Sequence, residues 1–393
     1  MSKIVIIGEG DLVAAVTQTC AAFSDSFSNI TLASPCLDLS DAIAQSVLQT
    51  TGVTINTAAI ATNNVSALKL FLKTLSPKLL INLGVVEHKL QAMEACLGAG
   101  IHYMDAIDDS LFHQVDSGYQ CQWDYHQRFK QAGLTALLGA GLTPGVTNMF
   151  TAHLAKHYFD EIYDLNIIGI HCNDGDSASG IHCQSEDNLS EVLTECKHWE
   201  VNESLKHEDS LGADHFVKTP PMSKRAQFTC PEDWGEYPIY RLYHEELESL
   251  TKHFPTLKRA QFWMSFDADD TQHMIKVSRG SAVNDVGYTS EPVSREKVFV
   301  GCVITGIKSG ITKTFYCYSM MKHDSCDTEL EPQSISYVTG VPCMISAKMM
   351  LEGKWNKPGV FNMEQHDPEP FLREMNVHGL NWKVLELNNV LSL

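Results

Sequence analysis

The chain has 393 residues, of which 44% are hydrophobic and 20% are charged, as is typical of a globular protein long enough for two domains. Its 29 basic and 48 acidic residues give a formal net charge of −19, which argues against nucleic acid as a partner and is compatible with a cationic small-molecule substrate. Since no apolar run reaches the roughly 18 residues of a membrane span and no basic leader precedes the first apolar segment, we expect a cytoplasmic protein without membrane contact.

Strands and helices alternate along the first part of the chain. The segment KIVII at residues 3–7 is a continuous apolar run that ends at a glycine turn, as a strand buried on both faces does. Further strands are predicted at 29–33, 53–58, 79–83, 102–105 and 135–138, and helices at 12–23, 38–49, 65–75, 90–99 and 123–132. This alternation predicts an α/β fold with a doubly wound, Rossmann-type parallel sheet.

The pattern changes between about residues 164 and 322. Strands are predicted there at 162–171, 261–266, 274–277, 298–307 and 312–320 with few helices between them, which indicates an α+β domain built on a mostly antiparallel sheet. A helix at 340–352 is apolar nearly all round, so we expect it to be buried against the first domain. We therefore assign residues 1–150, completed by 335–362, to a dinucleotide-binding domain. An inserted substrate and dimerisation domain takes 151–334, with a C-terminal tail at 363–393.

The first turn, GEGDLV at residues 8–13, has most of the G-x-G-x-x-G pattern that holds the pyrophosphate of a dinucleotide. Gly8 takes the place of the tight bend and Gly10 allows close approach of the backbone to phosphate. Val13 replaces the third glycine, whose role is to pack the helix against the strand. Glu9 and Asp11 place two carboxylates beside the phosphate position and cannot help to bind an anion.

The end of the second strand distinguishes the two nicotinamide cofactors in such sheets. An acidic residue there binds the ribose hydroxyls of NAD, and an arginine accommodates the 2′-phosphate of NADP. Here Ser34 is followed by Pro35 and Cys36. Neither signature is present, and the choice between NAD and NADP stays open.

Long motifs in the rest of the chain resemble those of a single family. They are WDYHQRFKQAGLTALLGAGLTPGVTN (123–148), KHYFDEI (156–162), LYHEELESL (242–250), KRAQFWMSF (258–266), SYVTGVPCMISAKMMLEGKW (336–355) and KPGVFN (357–362). The chain resembles the saccharopine dehydrogenase-like enzymes, and within them the carboxynorspermidine/carboxyspermidine dehydrogenases of bacterial polyamine synthesis. The resemblance implies that NADPH reduces the imine formed between aspartate β-semialdehyde and diaminopropane or putrescine.

The resemblance also implies a set of cofactor-binding residues at the glycine turns and strand ends. They are Gly8, Gly10, Asp11, Leu12, Val13, Ser34, Asn82, Gly84, Val85, Gly141, Thr143, Pro144, Gly145 and Asn148. Besides the turn GEGDLV and the Gly84-Val85-Val86 loop after Asn82, three positions depart from the family pattern. Pro35 stands at the usual arginine of the second strand, Thr143 at the usual aspartate of D-P-G-V-T-N, and Ser190 at an arginine suited to a substrate carboxylate.

Because cofactor and substrate contacts have changed while packing motifs survive, two interpretations compete. One is a functioning oxidoreductase with an altered cofactor or substrate, and the other is a catalytically inactive or regulatory paralogue that keeps the fold. Reduction of a different amino-acid-derived imine with NADH is a third interpretation that fits the missing arginine. We favour activity, because the retained glycines still allow close approach of a dinucleotide.

Four residues are candidates for catalysis. His244 and Glu245 could keep an imine protonated, although they also fit the start of a helix. His323 follows a predicted strand, where it either lines the cleft or lies exposed. Asp105 ends a strand at the expected ligand crevice, and is also a common turn residue. The cysteines contain no C-x-x-C pair, and the histidines at 171, 182, 198, 207 and 215 lack ligand spacing, so we expect no metal site. We also expect a homodimer.

Overall fold

A computed structural model describes residues 2–23, 27–84, 88–106, 118–173, 196–201, 215–265, 296–322 and 334–387. These residues form two compact units. Unit 1 contains the described residues up to 106, then 119–149 and 334–380, whereas unit 2 contains residue 118, residues 150–322 and residues 381–387. No helix among the described residues combines the length and the apolar character needed to cross a bilayer.

Unit 1 is built on a seven-stranded sheet in which every pairing is parallel. Its strands are β1 (Ser2–Gly8), β2 (Phe27–Ser34), β3 (Asn56–Ala59), β4 (Leu79–Leu83), β5 (His102–Asp105), β6 (Thr135–Leu138) and β15 (Gly359–Asn362). Their order across the sheet is β15-β6-β5-β4-β1-β2-β3. The chain therefore reverses direction across the sheet between β4 and β1, which confirms the predicted doubly wound fold.

Helices connect these strands and complete the unit. They are α1 (Asp11–Phe23), α2 (Leu37–Thr51), α3 (Val65–Leu75), α4 (Lys89–Ala99), α5 (Gln120–Trp123), α6 (His126–Gln131), α9 (Ser334–Leu351) and α10 (Pro368–Val377), with α7 (Val146–His157) running from unit 1 into unit 2. The single helix predicted at 123–132 is wrong, because the structure has two short helices there, α5 and α6. Helix α3 begins where the Asn64 side chain accepts the Ala67 amide at 3.0 Å, as an N-cap does.

Helix α9 is the buried helix that the sequence predicts, and it packs against α1 in unit 1. Gly340 makes this approach possible, because a Cβ there would lie 3.1–3.3 Å from atoms of Ala15. The Thr19 hydroxyl, on α1, donates a hydrogen bond to the Gly340 carbonyl at 3.3 Å. The expectation that this helix returns to the first domain is confirmed.

Unit 2 is built on a mixed sheet in the order β10-β11-β12-β7-β13-β14-β16. Its elements are β7 (Glu161–Asn173), β8 (Cys196–Glu200), β9 (Phe216–Thr219), β10 (Arg225–Thr229), β11 (Glu236–Leu242), α8 (Glu246–His253), β12 (Arg259–Ser265), β13 (Glu296–Lys308), β14 (Ile311–Lys322) and β16 (Trp382–Leu387). Every pairing is antiparallel except that of β12 with β7, and a short β8–β9 ribbon joins at β12. The predicted α+β domain with a mostly antiparallel sheet is confirmed.

Some elements differ from the sequence prediction. Strands β8 to β11 were not predicted because β9 and β10 are half-buried or exposed at most positions, so their apolar alternation is weak. The strand predicted at 274–277 lies outside the described residues. Residues 363–380, which the sequence assigns to the tail of the second domain, belong to unit 1, because α10 packs on α9.

A histidine in unit 1 makes the stability of the protein depend on pH. The His366 ring stacks on Trp355 with centroids 5.1 Å apart and contacts Phe361 edge-on at 5.6 Å. Burial, and secondarily the charge of Lys357, lowers the pKa of His366 from 6.5 to about 4. Since the unfolded chain takes up this proton first, we expect up to about 3 kcal/mol of stability, present above pH 6.5, to be lost as the pH falls to 4.

Denaturant unfolding at several pH values between 7 and 4 measures this loss. His366→Phe should flatten the pH dependence of the unfolding free energy, because phenylalanine fits an aromatic stack and binds no proton. His157→Phe, at an exposed histidine, is the matched control and should keep the wild-type slope. An unchanged slope in His366→Phe would show that another group carries the effect.

Candidate active site

The carboxyl edge of the parallel sheet in unit 1 collects most of the residues that the sequence predicts. Strands β1 and β4 are neighbours at the point where the strand order reverses, and Gly8 pairs there with Leu83. In open parallel sheets the ligand crevice lies outside the carboxyl ends at this reversal. The carboxyl ends of β1, β2, β4, β5 and β6 all lie at this edge, because these strands run parallel.

The glycine turn after β1 has the geometry of a dinucleotide turn. Gly8 has φ +142° and Gly10 has φ +94°, values that side chains rarely adopt. A Cβ on Gly8 would lie 2.5 Å from the carbonyl oxygen of Leu83, so only glycine fits between β1 and β4. Helix α1 begins at Asp11 directly after the turn and presents its N-terminus to this edge. The turn therefore still fits a dinucleotide.

The replacement of the third glycine does not obstruct the phosphate side of this turn. Val13 is fully buried, and its neighbour Leu12 is half-buried, so Val13 packs inside the unit. Asp11 is exposed in the first turn of α1, where its charge stabilises the helix dipole but opposes a bound anion. The departure at Val13 alters packing and leaves the backbone donors in place.

Glu9, between the two glycines, reaches a different loop. Its Oε1 accepts the Cys36 amide proton at 3.1 Å, in the connection between β2 and α2. The same connection is held by Ser34, whose hydroxyl donates to the Cys36 carbonyl at 2.7 Å and lies 2.9 Å from the Ser40 hydroxyl. The sequence predicted Ser34 at the site but did not reveal the direction of the Glu9 side chain.

Asn82 and Asp105 are joined by a buried hydrogen-bond network. Asn82 Nδ2 donates to the Tyr103 hydroxyl at 3.0 Å, and that hydroxyl donates to Asp105 Oδ2 at 3.0 Å. Gln122 Nε2 donates to the same oxygen at 2.8 Å, and the Gly139 amide donates to Asp105 Oδ1 at 2.8 Å. Burial, and then the nearby Asp105 carboxylate, raises the pKa of Tyr103, which therefore remains a donor.

This network also holds Gly84, the residue that directly follows β4. Asn82 Oδ1 accepts the Gly84 amide at 3.1 Å, so both ends of the Asn82 amide are occupied. Asp105 is only 1% exposed, and its three donors are neutral groups. We infer that Asp105 positions Tyr103 and the β6 turn; the contact with substrate that the sequence suggested stays a prediction. Val85 and His323 lie outside the described residues.

The second glycine-rich turn, at residues 139–145, lies at the same edge. Gly145 has φ +137°, and a Cβ there would meet backbone atoms of Gly141, so the two glycines are packed together. Asn148 Oδ1 accepts the Gly145 amide at 2.8 Å, and Asn148 Nδ2 donates to the buried Glu364 carboxylate at 2.8 Å. Thr143 is half-buried and Pro144 is buried within the turn.

In unit 2, three predicted or adjacent residues form what we call the acidic cluster: His244, Glu245 and Glu246. All three are at most 4% exposed. His244 Nδ1 lies 3.4 Å from Glu246 Oε1, and the imidazole packs on Phe262 with ring centroids 4.4 Å apart. The sequence allowed a helix start here, and α8 does begin at Glu246. The two carboxylates are nevertheless buried, which is costly and points to ionic or hydrogen-bonded partners. Glu246 was not predicted.

A basic cluster on the same sheet also escaped the sequence analysis. Arg241 pairs with Trp263 across β11 and β12, Lys224 Nζ lies 5.2 Å from the Trp263 ring, and Arg259 Nε donates to Asp164 at 2.7 Å. Burial lowers the pKa values of Lys224 and Arg241. Phe262, on which His244 packs, and Trp263 are consecutive residues of β12, so their side chains point to opposite faces of the sheet. Arg241 and Lys224 lie beside Trp263. These cations and the acidic cluster are therefore on opposite faces, and one small ligand cannot contact both.

Comparisons with known proteins agree with this geometry. The model of the saccharopine dehydrogenase NADP binding domain matches residues 4–137, and that of the saccharopine dehydrogenase C-terminal domain matches residues 287–380. A carboxyaminopropylagmatine dehydrogenase from Synechocystis sp. is 36% identical over 97% of each chain. A carboxynorspermidine synthase from Vibrio alginolyticus is 30% identical over 97% of this chain and 96% of that protein.

A solved structure shows the same fold at much lower identity. Apo saccharopine dehydrogenase (L-Glu forming) from Saccharomyces cerevisiae superposes with a TM-score of 0.73 at 12% identity, over 98% of this chain and 100% of that one. The full-length relatives carry the names of enzymes, which gives no support to the inactive alternative. The chain belongs to the saccharopine dehydrogenase family and is a nicotinamide-dependent oxidoreductase.

Proposed function

We propose that the protein reduces the imine formed between aspartate semialdehyde and a cationic amine, giving a carboxylated polyamine. The observation that carries this proposal is the glycine turn after β1, which keeps Gly8 against the Leu83 carbonyl, Gly10 at a positive φ and the N-terminus of α1 directly after it. The full-length relatives are named for carboxyaminopropylagmatine and carboxynorspermidine, and both names describe amines that bear a carboxylate.

The amine is proposed to be agmatine or a diamine, namely diaminopropane or putrescine. Agmatine is tested first, because the relative named for it is 36% identical to this chain. Buried carboxylates attract ammonium and guanidinium groups, and the acidic cluster supplies two of them in unit 2. The formal charge of −19 also favours approach of a cation.

The chemistry asks the protein mainly for orientation and a proton. Amine and aldehyde condense to an imine with loss of water, and a hydride added to the imine carbon together with a proton on nitrogen gives the secondary amine. A nicotinamide cofactor supplies the hydride when it is bound. In this proposal His244 holds the proton at the imine nitrogen, Glu246 orients the His244 imidazole, and Glu245 binds the amine. Asn82 fixes the loop beside the cofactor.

Cofactor oxidation in the presence of both substrates tests the reaction. The enzyme is mixed with aspartate semialdehyde and each amine in turn, with NADH or NADPH, and the near-ultraviolet absorbance of the reduced cofactor is followed. We expect oxidation that requires aldehyde and amine together. Oxidation with the aldehyde alone would indicate an alcohol dehydrogenase, and no oxidation with any pair would contradict the proposal.

A histidine variant tests the proton donor. His244→Asn is expected to lower kcat by about 10²–10³-fold and to remove one limb of the pH profile, because asparagine cannot transfer a proton. His253→Asn, at the exposed end of α8, is the matched control and should retain both kcat and the pH profile. A wild-type pH profile in His244→Asn would exclude His244 as the acid.

We also propose a cytoplasmic homodimer. Among the described residues the unit 2 sheet ends in strands β10 and β16, and an antiparallel edge or face of this kind can pair with a second copy. A cytoplasmic location gives access to reduced nicotinamide cofactors and to amino-acid-derived substrates. Light scattering of the purified protein tests the dimer.

A further inference from the structure

The connection between β2 and α2 is the place where a dinucleotide-binding sheet distinguishes NAD from NADP. In such sheets an acid at this connection binds the ribose hydroxyls, and an arginine accommodates the 2′-phosphate. The connection begins with Ser34, Pro35 and Cys36, which supply neither an acid nor an arginine. These three residues therefore do not determine whether NAD or NADP binds. The structure adds a residue from outside the connection.

That residue is Glu9, whose carboxylate accepts a hydrogen bond from the backbone amide of Cys36 in this connection. The Cys36 amide donates to Glu9 Oε1 at 3.1 Å, and Glu9 is exposed. The two hydrogen bonds of Ser34 hold the connection around it. In other dinucleotide-binding sheets the acidic residue at this place lies at the end of the second strand. Here the carboxylate beside the connection belongs to Glu9, in the first glycine turn.

The surrounding charge acts in the same direction. Residues 4–68, from β1 into α3, contain no lysine, arginine or histidine, and they contain five acidic residues. A 2′-phosphate brings further negative charge to this region, whereas the ribose hydroxyls of NADH can donate hydrogen bonds to a carboxylate. His88, which lies 3.2 Å from the Thr62 hydroxyl beyond β3, is a basic side chain on the same edge and lacks the fork of an arginine.

We propose that the protein binds NADH in preference to NADPH, and that Glu9 is the residue that determines this preference. Glu9 accepts hydrogen bonds from the ribose hydroxyls and repels a 2′-phosphate. This inference rests on the proposed function, since it assigns the form of the cofactor. It departs from the NADP specificity in the name of the matching domain model.

Direct binding measures the preference without turnover. Wild-type protein is titrated with NADH and NADPH by nicotinamide fluorescence, and with ADP-ribose and its 2′-phosphate by calorimetry. We expect the Kd for NADPH to exceed that for NADH by roughly tenfold or more, as one carboxylate facing a phosphate within hydrogen-bond reach predicts. Added salt should narrow this ratio, because it screens the repulsion.

Variants separate Glu9 from the general charge of the protein. Glu9→Gln should reduce the ratio of the Kd for NADPH to the Kd for NADH by roughly tenfold. The double variant Glu9→Gln with Pro35→Arg should reverse the preference, so that NADPH binds more tightly than NADH. Glu352→Gln removes one charge at an exposed position of unit 1 and should leave the ratio unchanged. Glu9 and Pro35 are both exposed, so the variants retain the core of the unit.

The outcomes separate this inference from the proposed function. Equal or tighter binding of NADPH by the wild-type protein overturns the inference and leaves the imine reductase standing. An unchanged ratio in Glu9→Gln overturns the role of Glu9. Failure of both cofactors to bind overturns the inference and the proposed function together.

Discussion

Replacing Gly8 by alanine is expected to weaken the binding of reduced cofactor strongly and to lower the unfolding free energy of the protein. The new methyl group would lie 2.5 Å from the Leu83 carbonyl oxygen, and the residue would have to keep φ +142°. The atoms that this methyl group would meet belong to the backbone of Leu83 and Gly84 and cannot rotate away. The turn must therefore shift, which should cost about 3–5 kcal/mol of unfolding free energy. A displacement of the turn by about an ångström should weaken binding of reduced cofactor by roughly a hundredfold. Denaturant unfolding and fluorescence titration measure the two effects.

Gly52→Ala is the matched control for this change. Gly52 also has a positive φ, +71° at the end of α2, but a Cβ there meets no atom within 4 Å. Its cost should be limited to backbone strain of about 1 kcal/mol, and cofactor binding should be unchanged. Wild-type affinity and stability in Gly8→Ala would show that the turn does not form as described.

Replacing Asp105 by asparagine is expected to destabilise unit 1 by about 1–3 kcal/mol. The carboxylate accepts hydrogen bonds from Tyr103, Gln122 and the Gly139 amide in a fully buried site. An asparagine amide group would present a donor to one of these donors, so at least one would lose its partner. Thermal and denaturant unfolding measure the loss.

Tyr103→Phe and the double variant show whether the network acts as a unit. Tyr103→Phe should cost about 1 kcal/mol, and the double variant should cost less than the sum of the two, because both changes break the same hydrogen bond. Asp38→Asn, at an exposed carboxylate in the first turn of α2 in unit 1, is the control and should cost less than about 1 kcal/mol, the size of a helix-dipole interaction. If Asp105→Asn keeps wild-type stability and loses activity, Asp105 contacts substrate and is not a positioning residue.

The elements of the first unit were predictable because buried parallel strands and amphipathic helices leave strong local patterns. Helix α3 and strands β4, β5 and β6 have the predicted bounds; Asn64 caps α3, and the apolar strands β4 and β6 are each followed directly by a glycine. The segment at 120–131 was mispredicted because its helical spacing continues through Asp124 and Tyr125, where the structure has a turn between two short helices. Local periodicity cannot detect such a break.

The site was predictable only in part, for a different reason. Glycines such as Gly8 and Gly145 are visible in sequence because their backbone conformations exclude other residues. The reach of Glu9 to the Cys36 amide joins residues 27 positions apart, and no local pattern records it. Likewise, the place of Asp105 at a strand end suggested a ligand contact, which stays a prediction, but no local pattern records the three neutral donors that it accepts. The roles of Glu9 and Asp105 depend on where their side chains point at the carboxyl edge of the folded sheet.

Transfer of deuterium from the cofactor to the product tests the proposed reaction most directly. The enzyme is incubated with aspartate semialdehyde, agmatine or a diamine, and NADH or NADPH that carries deuterium at both C4 positions, and the amines are analysed by mass spectrometry. We predict a carboxylated secondary amine that has gained one deuterium at the former imine carbon. Recovery of unreacted amine with every cofactor and substrate pair would contradict an imine reductase.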